Sequence, residues 1–152
     1  MTKRIDQGRQ GLSEAEYVAI AAFRYQLRRF LAFSEGAAAA VGLPAQQHQA
    51  LLAIAGHASS DRPTIGILAE QLLIAPHTAG ELTARMVEAD LLIKTVSTHD
   101  RRRIELSLTP KAQKLLGELT SAHLEELRTL EPALVRALGG LGAANPAKTT
   151  SK

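Results

Sequence analysis

The chain has 152 residues, 45% of them apolar, with a formal charge of +3 and no cysteine. That length suits one compact domain, alone or with a dimerisation appendage. The apolar fraction is ample for a core, and so small a net charge leaves any nucleic-acid affinity to the local placement of basic groups. A disulfide framework is excluded. With no signal peptide and no apolar run of bilayer length, a cytoplasmic protein with no membrane partner is expected.

Residues 1–11 read as a flexible N-terminus, rich in polar residues and glycine. Ser13-Glu14-Ala15-Glu16 is a capping box, which opens a long helix predicted to run to about Val41. All the aromatic residues, Tyr17, Phe23, Tyr25, Phe30 and Phe33, fall within it. Ile20, Phe23, Leu27, Phe30 and Leu31 are expected to form one apolar stripe. Such a helix is too long to be covered by a small three-helix motif and needs another partner. Pro44 to Gly56 follows as a core helix, with Ala50, Leu51, Ile54 and Ala55 apolar and His48 among them.

Thr64 to Leu72 reads as a short helix capped by Thr64, whose hydroxyl can accept from an orphan backbone N–H. A second helix starts near Ala75 with Pro76 in its first turn, where a missing N–H costs nothing. Ala79, Leu82, Met86 and Ala89 recur at helical spacing and are expected to be buried. His77, Thr78, Gly80, Glu81, Ala84 and Arg85 then form the outer face. Two short helices joined by a tight turn, the second with a small polar outer face, fit a helix-turn-helix whose second helix enters the major groove.

Leu91 to Val96 and Arg103 to Thr109 read as two strands of a hairpin joined through Ser97, Thr98, His99 and Asp100. In the second strand Ile104, Leu106 and Leu108 alternate with polar residues, the period of a half-buried strand. Arg101, Arg102 and Arg103 sit at its tip. Taken alone, that run is as consistent with a solvated turn as with a grip on nucleic acid. Behind a helix-turn-helix it becomes the wing of a winged helix.

Thr109 caps a helix begun by Pro110, with Ala112, Leu115, Leu116, Leu119, Ala122, Leu124 and Leu127 apolar. A further short helix is expected from Glu131 to Leu141, and 143–152 as a flexible tail. The histidines His48, His57, His77, His99 and His123 show no paired spacing, so neither a metal nor another cofactor is expected. No nucleophile–base set, phosphate-cradling glycine loop or paired acid cluster marks an enzyme.

The ordered set Leu68-Ala69, Pro76, Thr78, Leu82, Arg85, Asp100-Arg101-Arg102 and Leu108-Thr109, preceded by Gly42-Leu43, Gln47 and Leu51, resembles the multiple antibiotic resistance regulator (MarR) family of bacterial transcription factors. The resemblance covers roughly Leu12 to Leu141. Asp90 stands where the family often has glycine before the first wing strand, Ala112 where glycine is common, and Gly80 where threonine is frequent. Gly80 is open to two readings, close backbone approach to DNA or drift.

The resemblance implies a mainly α fold with a small β-hairpin wing, divided into dimerisation helices at 12–41 and 110–142 and a winged helix-turn-helix DNA-binding lobe at 44–109. It implies a homodimer that binds double-stranded DNA at a pseudo-palindromic operator, as a ligand-responsive repressor. The DNA-binding residues would be Thr64, Pro76, His77, Thr78, Glu81 and Arg85 of the helices and Asp100, Arg101, Arg102 and Arg103 of the wing. Asp100 is expected to organise the wing by pairing with a nearby arginine, while Arg102 reaches the minor groove. A small aromatic or anionic effector would meet Phe23, Arg24, Phe30 and His48, although aromatics at helical spacing are more often core or interface and a lone histidine is more often a satisfied polar residue. The family's thiol-based peroxide switch is excluded without cysteine. A winged helix can also serve as a protein-interaction module without sequence-specific DNA binding, and that alternative stays open.

Overall fold

The computed structural model describes residues 11–142; the flexible ends expected at 1–11 and 143–152 lie outside them but for Gly11. The order is α1 (Glu14–Ala40), α2 (Ala45–Ala55), α3 (Ile65–Leu72), α4 (Pro76–Glu88), β1 (Leu92–Val96), β2 (Ile104–Leu108) and α5 (Pro110–Gly142). The described residues form two compact units: Ser34–His123, and the helical segments before and after it. No helix among them is long and apolar enough to cross a membrane.

Within the unit Ser34–His123 the helices start and stop on local chemistry. Thr64 Oγ1 accepts from the Ile67 amide at 3.3 Å and caps α3. Thr109 Oγ1 accepts from the Ala112 amide at 3.1 Å, and its hydroxyl donates to the Asp90 carbonyl at 2.7 Å. The start of α5 is thereby tied to the turn before β1. Three helices end in the same double turn, in which a left-handed residue follows the last helical turn and two amides reach back into it. After α1 the left-handed residue is Gly42 (φ 73°), after α3 Leu73 (φ 55°) and after α4 Asp90 (φ 59°). The amides of Leu43, Ile74 and Leu91 close these turns on the carbonyls of Ala38, Ala69 and Met86.

β1 and β2 pair antiparallel, from Leu92 opposite Leu108 to Val96 opposite Ile104. The Leu106 amide donates to the Pro63 carbonyl at 2.8 Å, so the segment before α3 flanks the inner wing strand. Leu51, Leu68, Leu82, Met86 and Leu106 are fully buried at the centre, and Ala112, Leu116 and Leu119 of α5 join the same core. This one cluster holds α2, the helix pair and the wing together.

Four expectations are corrected. Ala89 is exposed at the end of α4, and Thr83 is buried instead, its hydroxyl satisfied by the Ala79 carbonyl at 2.7 Å. Ile104 is 36% exposed and its partner Val96 57%, because the hairpin projects beyond the core that covers Leu106 and Leu92. The stripe on α1 is two faces: Ala19 is buried and Phe23 and Phe30 half-buried, whereas Ile20, Leu27 and Leu31 are exposed. The separate helix expected from Glu131 is absent. α5 runs unbroken for 33 residues with Pro132 inside it.

Candidate nucleic-acid interface

The recognition face is built on α4. Ala75 precedes it without a side-chain cap, Pro76 brings no N–H, and the first intrahelical bond runs from the Ala79 amide to the Ala75 carbonyl. The amides of His77 and Thr78 therefore point out of the first turn unpaired within the helix, the positive end of its dipole. His77, Glu81 and Arg85 are exposed on this side, with Thr78 and Gly80 half-buried. A Cβ added at Gly80 meets nothing within 4 Å. The fold itself does not require glycine there.

The wing tip is held by backbone hydrogen bonds. Buried Ser97 accepts at Oγ from the amides of His99 (3.3 Å) and Asp100 (3.4 Å). Asp100 Oδ1 accepts from the Arg102 amide at 3.0 Å, the Arg103 amide donates to the Asp100 carbonyl at 3.0 Å, and the Ser97 amide donates to the Arg103 carbonyl at 2.9 Å. Asp100 is thus an organiser, but not through an arginine side chain as expected. The one ion pair among the described residues joins Arg128 to Glu125. A carboxylate satisfied by a neighbouring amide forms a tight local turn and leaves the guanidinium groups of Arg101, Arg102 and Arg103 exposed for a partner. Ser97 was missed by sequence reasoning, although a serine three residues before an aspartate in a turn is a recognisable signal for this motif.

The structure brings some of the expected residues together. Thr64, Ile65 and Gly66 at the start of α3 and Arg102, Arg103 and Ile104 of the wing line one cleft of about 360 Å³. One wall presents the amide end of a helix and the other two cationic side chains, a combination suited to a phosphate group. Arg101 is not part of the lining. The residues expected to meet an effector do not share a unit: Phe23, Arg24 and Phe30 belong to α1 before Ser34, and His48 to α2. His48 is buried against His123, whose ring centroid lies 4.9 Å away.

A model of the MarR family matches residues 41–103, the stretch that carries α2, the helix pair, β1 and the wing tip. Over that stretch the chain resembles the MarR family. S. aureus MepR in its DNA complex is 23% identical over 81% of this chain and 89% of its own, with a TM-score of 0.65. RV1404 from Mycobacterium tuberculosis is 23% identical over 90% and 99%, with a TM-score of 0.66. NadR in complex with 4-hydroxyphenylacetate is 20% identical over 94% and 93%, with a TM-score of 0.64. These likenesses establish the winged-helix fold. No curated protein matches the chain.

Proposed function

We propose that this chain is a MarR-type, cytoplasmic, homodimeric transcriptional regulator that binds double-stranded DNA sequence-specifically and is released by a small ligand, a repressor rather than an enzyme. The observation that carries the reading is the presence, within Ser34–His123, of an uncapped recognition-helix N-terminus, an unpaired arginine tip and the cleft between that tip and the start of α3. In the mechanism, Pro76 and the free amides of His77 and Thr78 seat α4 in a major groove. His77, Glu81 and Arg85 meet base edges and specify sequence, while Thr64 and Thr78 hold phosphate. Arg102 enters the adjacent minor groove, with Arg101 and Arg103 against the backbone, where arginine reads groove width as well as charge. Asp100 serves by shaping the turn that presents them.

Dimerisation is supported by the apolar side chains that the helices outside Ser34–His123 leave uncovered, among them Ile20, Leu27 and Leu31 of α1 and Leu124, Val135 and Leu138 of α5. Large apolar side chains left exposed in such number are expected at an interface. Two-fold pairing then sets half-sites about one helical turn apart. For the effector we infer an aromatic acid of the class NadR binds, with substitutions at Phe23, Arg24 and Phe30 of one unit and, separately, His48 of the other to test for loss of response.

A selection from randomised duplexes with the full chain tests the reading. A two-fold symmetric consensus is expected. On the selected duplex, Arg102→Ala should weaken binding and lower the slope of log K against log salt by about one for each phosphate the wing no longer neutralises. No consensus, with capture of another protein instead, would assign the winged helix to protein recognition.

A further inference from the structure

Ser34, His48 and His123 form a polar knot that the DNA-binding reading does not use. Ser34 lies near the end of α1, His48 on α2 and His123 on α5, and Ser34 and His123 are the residues at which the chain enters and leaves the compact unit. Both histidines are buried, 3% and 7% exposed, with rings 4.9 Å apart and tilted by 53°. His123 Nδ1 lies 2.6 Å from the Leu119 carbonyl and Nε2 lies 2.8 Å from Ser34 Oγ. A carbonyl only accepts, so Nδ1 carries the proton, and in the neutral ring Nε2 accepts from the Ser34 hydroxyl. This hydrogen bond ties the two helices together where they cross into the lobe.

His48 closes the knot from the third helix. Burial, and then the His123 charge, push its pKa below the ordinary histidine value. His123 is the titratable group that faces it from α5, itself bonded to the Ser34 hydroxyl of α1, and among the described residues no third His, Cys, Asp or Glu joins the rings in a cluster. A proton on His48 thus sits in a largely buried position with no carboxylate in ion-pair reach among the described residues. Since the unfolded chain takes up that proton more readily, the stability contributed by neutral His48 is complete above the ordinary histidine value of 6.5. It is lost as the pH falls from there towards the lower folded-state value.

Helix α2 can transmit such a loss, because it packs against both α3 and β2, the elements that carry the two walls of the cleft between Thr64 and Arg103. We propose that Ser34, His48 and His123 form an acid-sensitive latch inside the winged-helix lobe, closed while His48 is neutral and loosened when it is protonated, so that acid weakens operator binding. The consequence for DNA rests on the reading above; the loosening of the lobe does not.

The test uses the full chain, wild type and His48→Phe, which keeps an aromatic ring and removes the proton. Affinity for the selected duplex is measured at pH 7.5 and 5.5, and hydrogen exchange of α2 amides is followed at both without DNA. The wild type should lose more affinity on acidification than His48→Phe, whose ring takes up no proton. His77 and His99 are present in both proteins and cancel in the comparison. Parallel affinity curves overturn the latch. Where selection returns no duplex, the DNA reading fails by itself and exchange decides: α2 protection in the wild type that falls in acid, after correction for intrinsic rates, supports the latch. Unchanged protection overturns it, and that arm needs no variant to fold.

Discussion

The lobe Ser34–His123 closes its core within one chain, whereas the helical segments outside it leave theirs open. In the lobe, Leu51, Leu68, Leu82, Met86 and Leu106 are fully buried. Outside it the buried apolar residues are Ala19, Leu130 and Ala137, while Tyr17, Ile20, Leu27, Leu31, Val135 and Leu138 are exposed. There α1 and α5 also line a cleft of about 660 Å³ bordered by Ala15, Val18, Ala22 and Ala133. The lobe has its core within one chain, and under the proposed pairing the stability of the other region depends on protomer concentration. The two can therefore be broken separately.

The largest effect is expected from Leu27→Glu on the open face of α1. A carboxylate placed in an apolar interface should shift the dimer to monomer in sedimentation. Operator affinity should then fall by about a hundredfold or more, since each lobe is left to bind a half-site without its tethered neighbour. The lobe's own unfolding transition should stay where it was. A dimer that survives this change would place the interface elsewhere. Leu82→Ala reverses the pattern. Its side chain is 1% exposed inside the lobe, and truncation should cost about 2–5 kcal/mol in chemical denaturation with the sedimentation of the remaining folded protein unchanged.

The same contrast explains what was legible in the sequence. The lobe's elements are punctuated by residues that act on their immediate neighbours, such as Thr64, Pro76 and Thr109, and those starts are where the pattern placed them. The position of the wing is legible in the alternation of its strands, but the sequence suggests a charged partner for Asp100 where an amide two residues away satisfies it. Interactions between distant positions left no local trace. His123 gave no signal because its partners are Ser34, 89 positions earlier, and His48. The alternation at Ile104 predicted burial that depends on how far the core extends under the hairpin. Pro132 signals a helix end because it cannot donate to the Arg128 carbonyl, a loss of about 3 kcal/mol in a helix interior. α5 continues past it nonetheless, with Leu130 and Ala137 buried on either side, so packing outweighs the local preference.

The smallest effect is expected where one turn recurs with three residues. Gly42, Leu73 and Asp90 hold the same left-handed position in the turns after α1, α3 and α4. Glycine adopts that conformation freely and aspartate tolerates it, but a leucine Cβ crowds the following carbonyl, at about 1–2 kcal/mol. Leu73 is also 93% exposed, so its side chain contributes no packing to offset that strain. Leu73→Gly should stabilise the lobe by about 0.5–1 kcal/mol, the strain relieved less the added freedom of the unfolded chain. Asp90→Gly should change it by less, and neither should move the monomer–dimer equilibrium. Denaturation of the three proteins side by side decides the matter. Loss of stability in Leu73→Gly would mean that the leucine packs against something in solution, and unchanged stability with weaker operator binding would place its side chain in the complex with DNA.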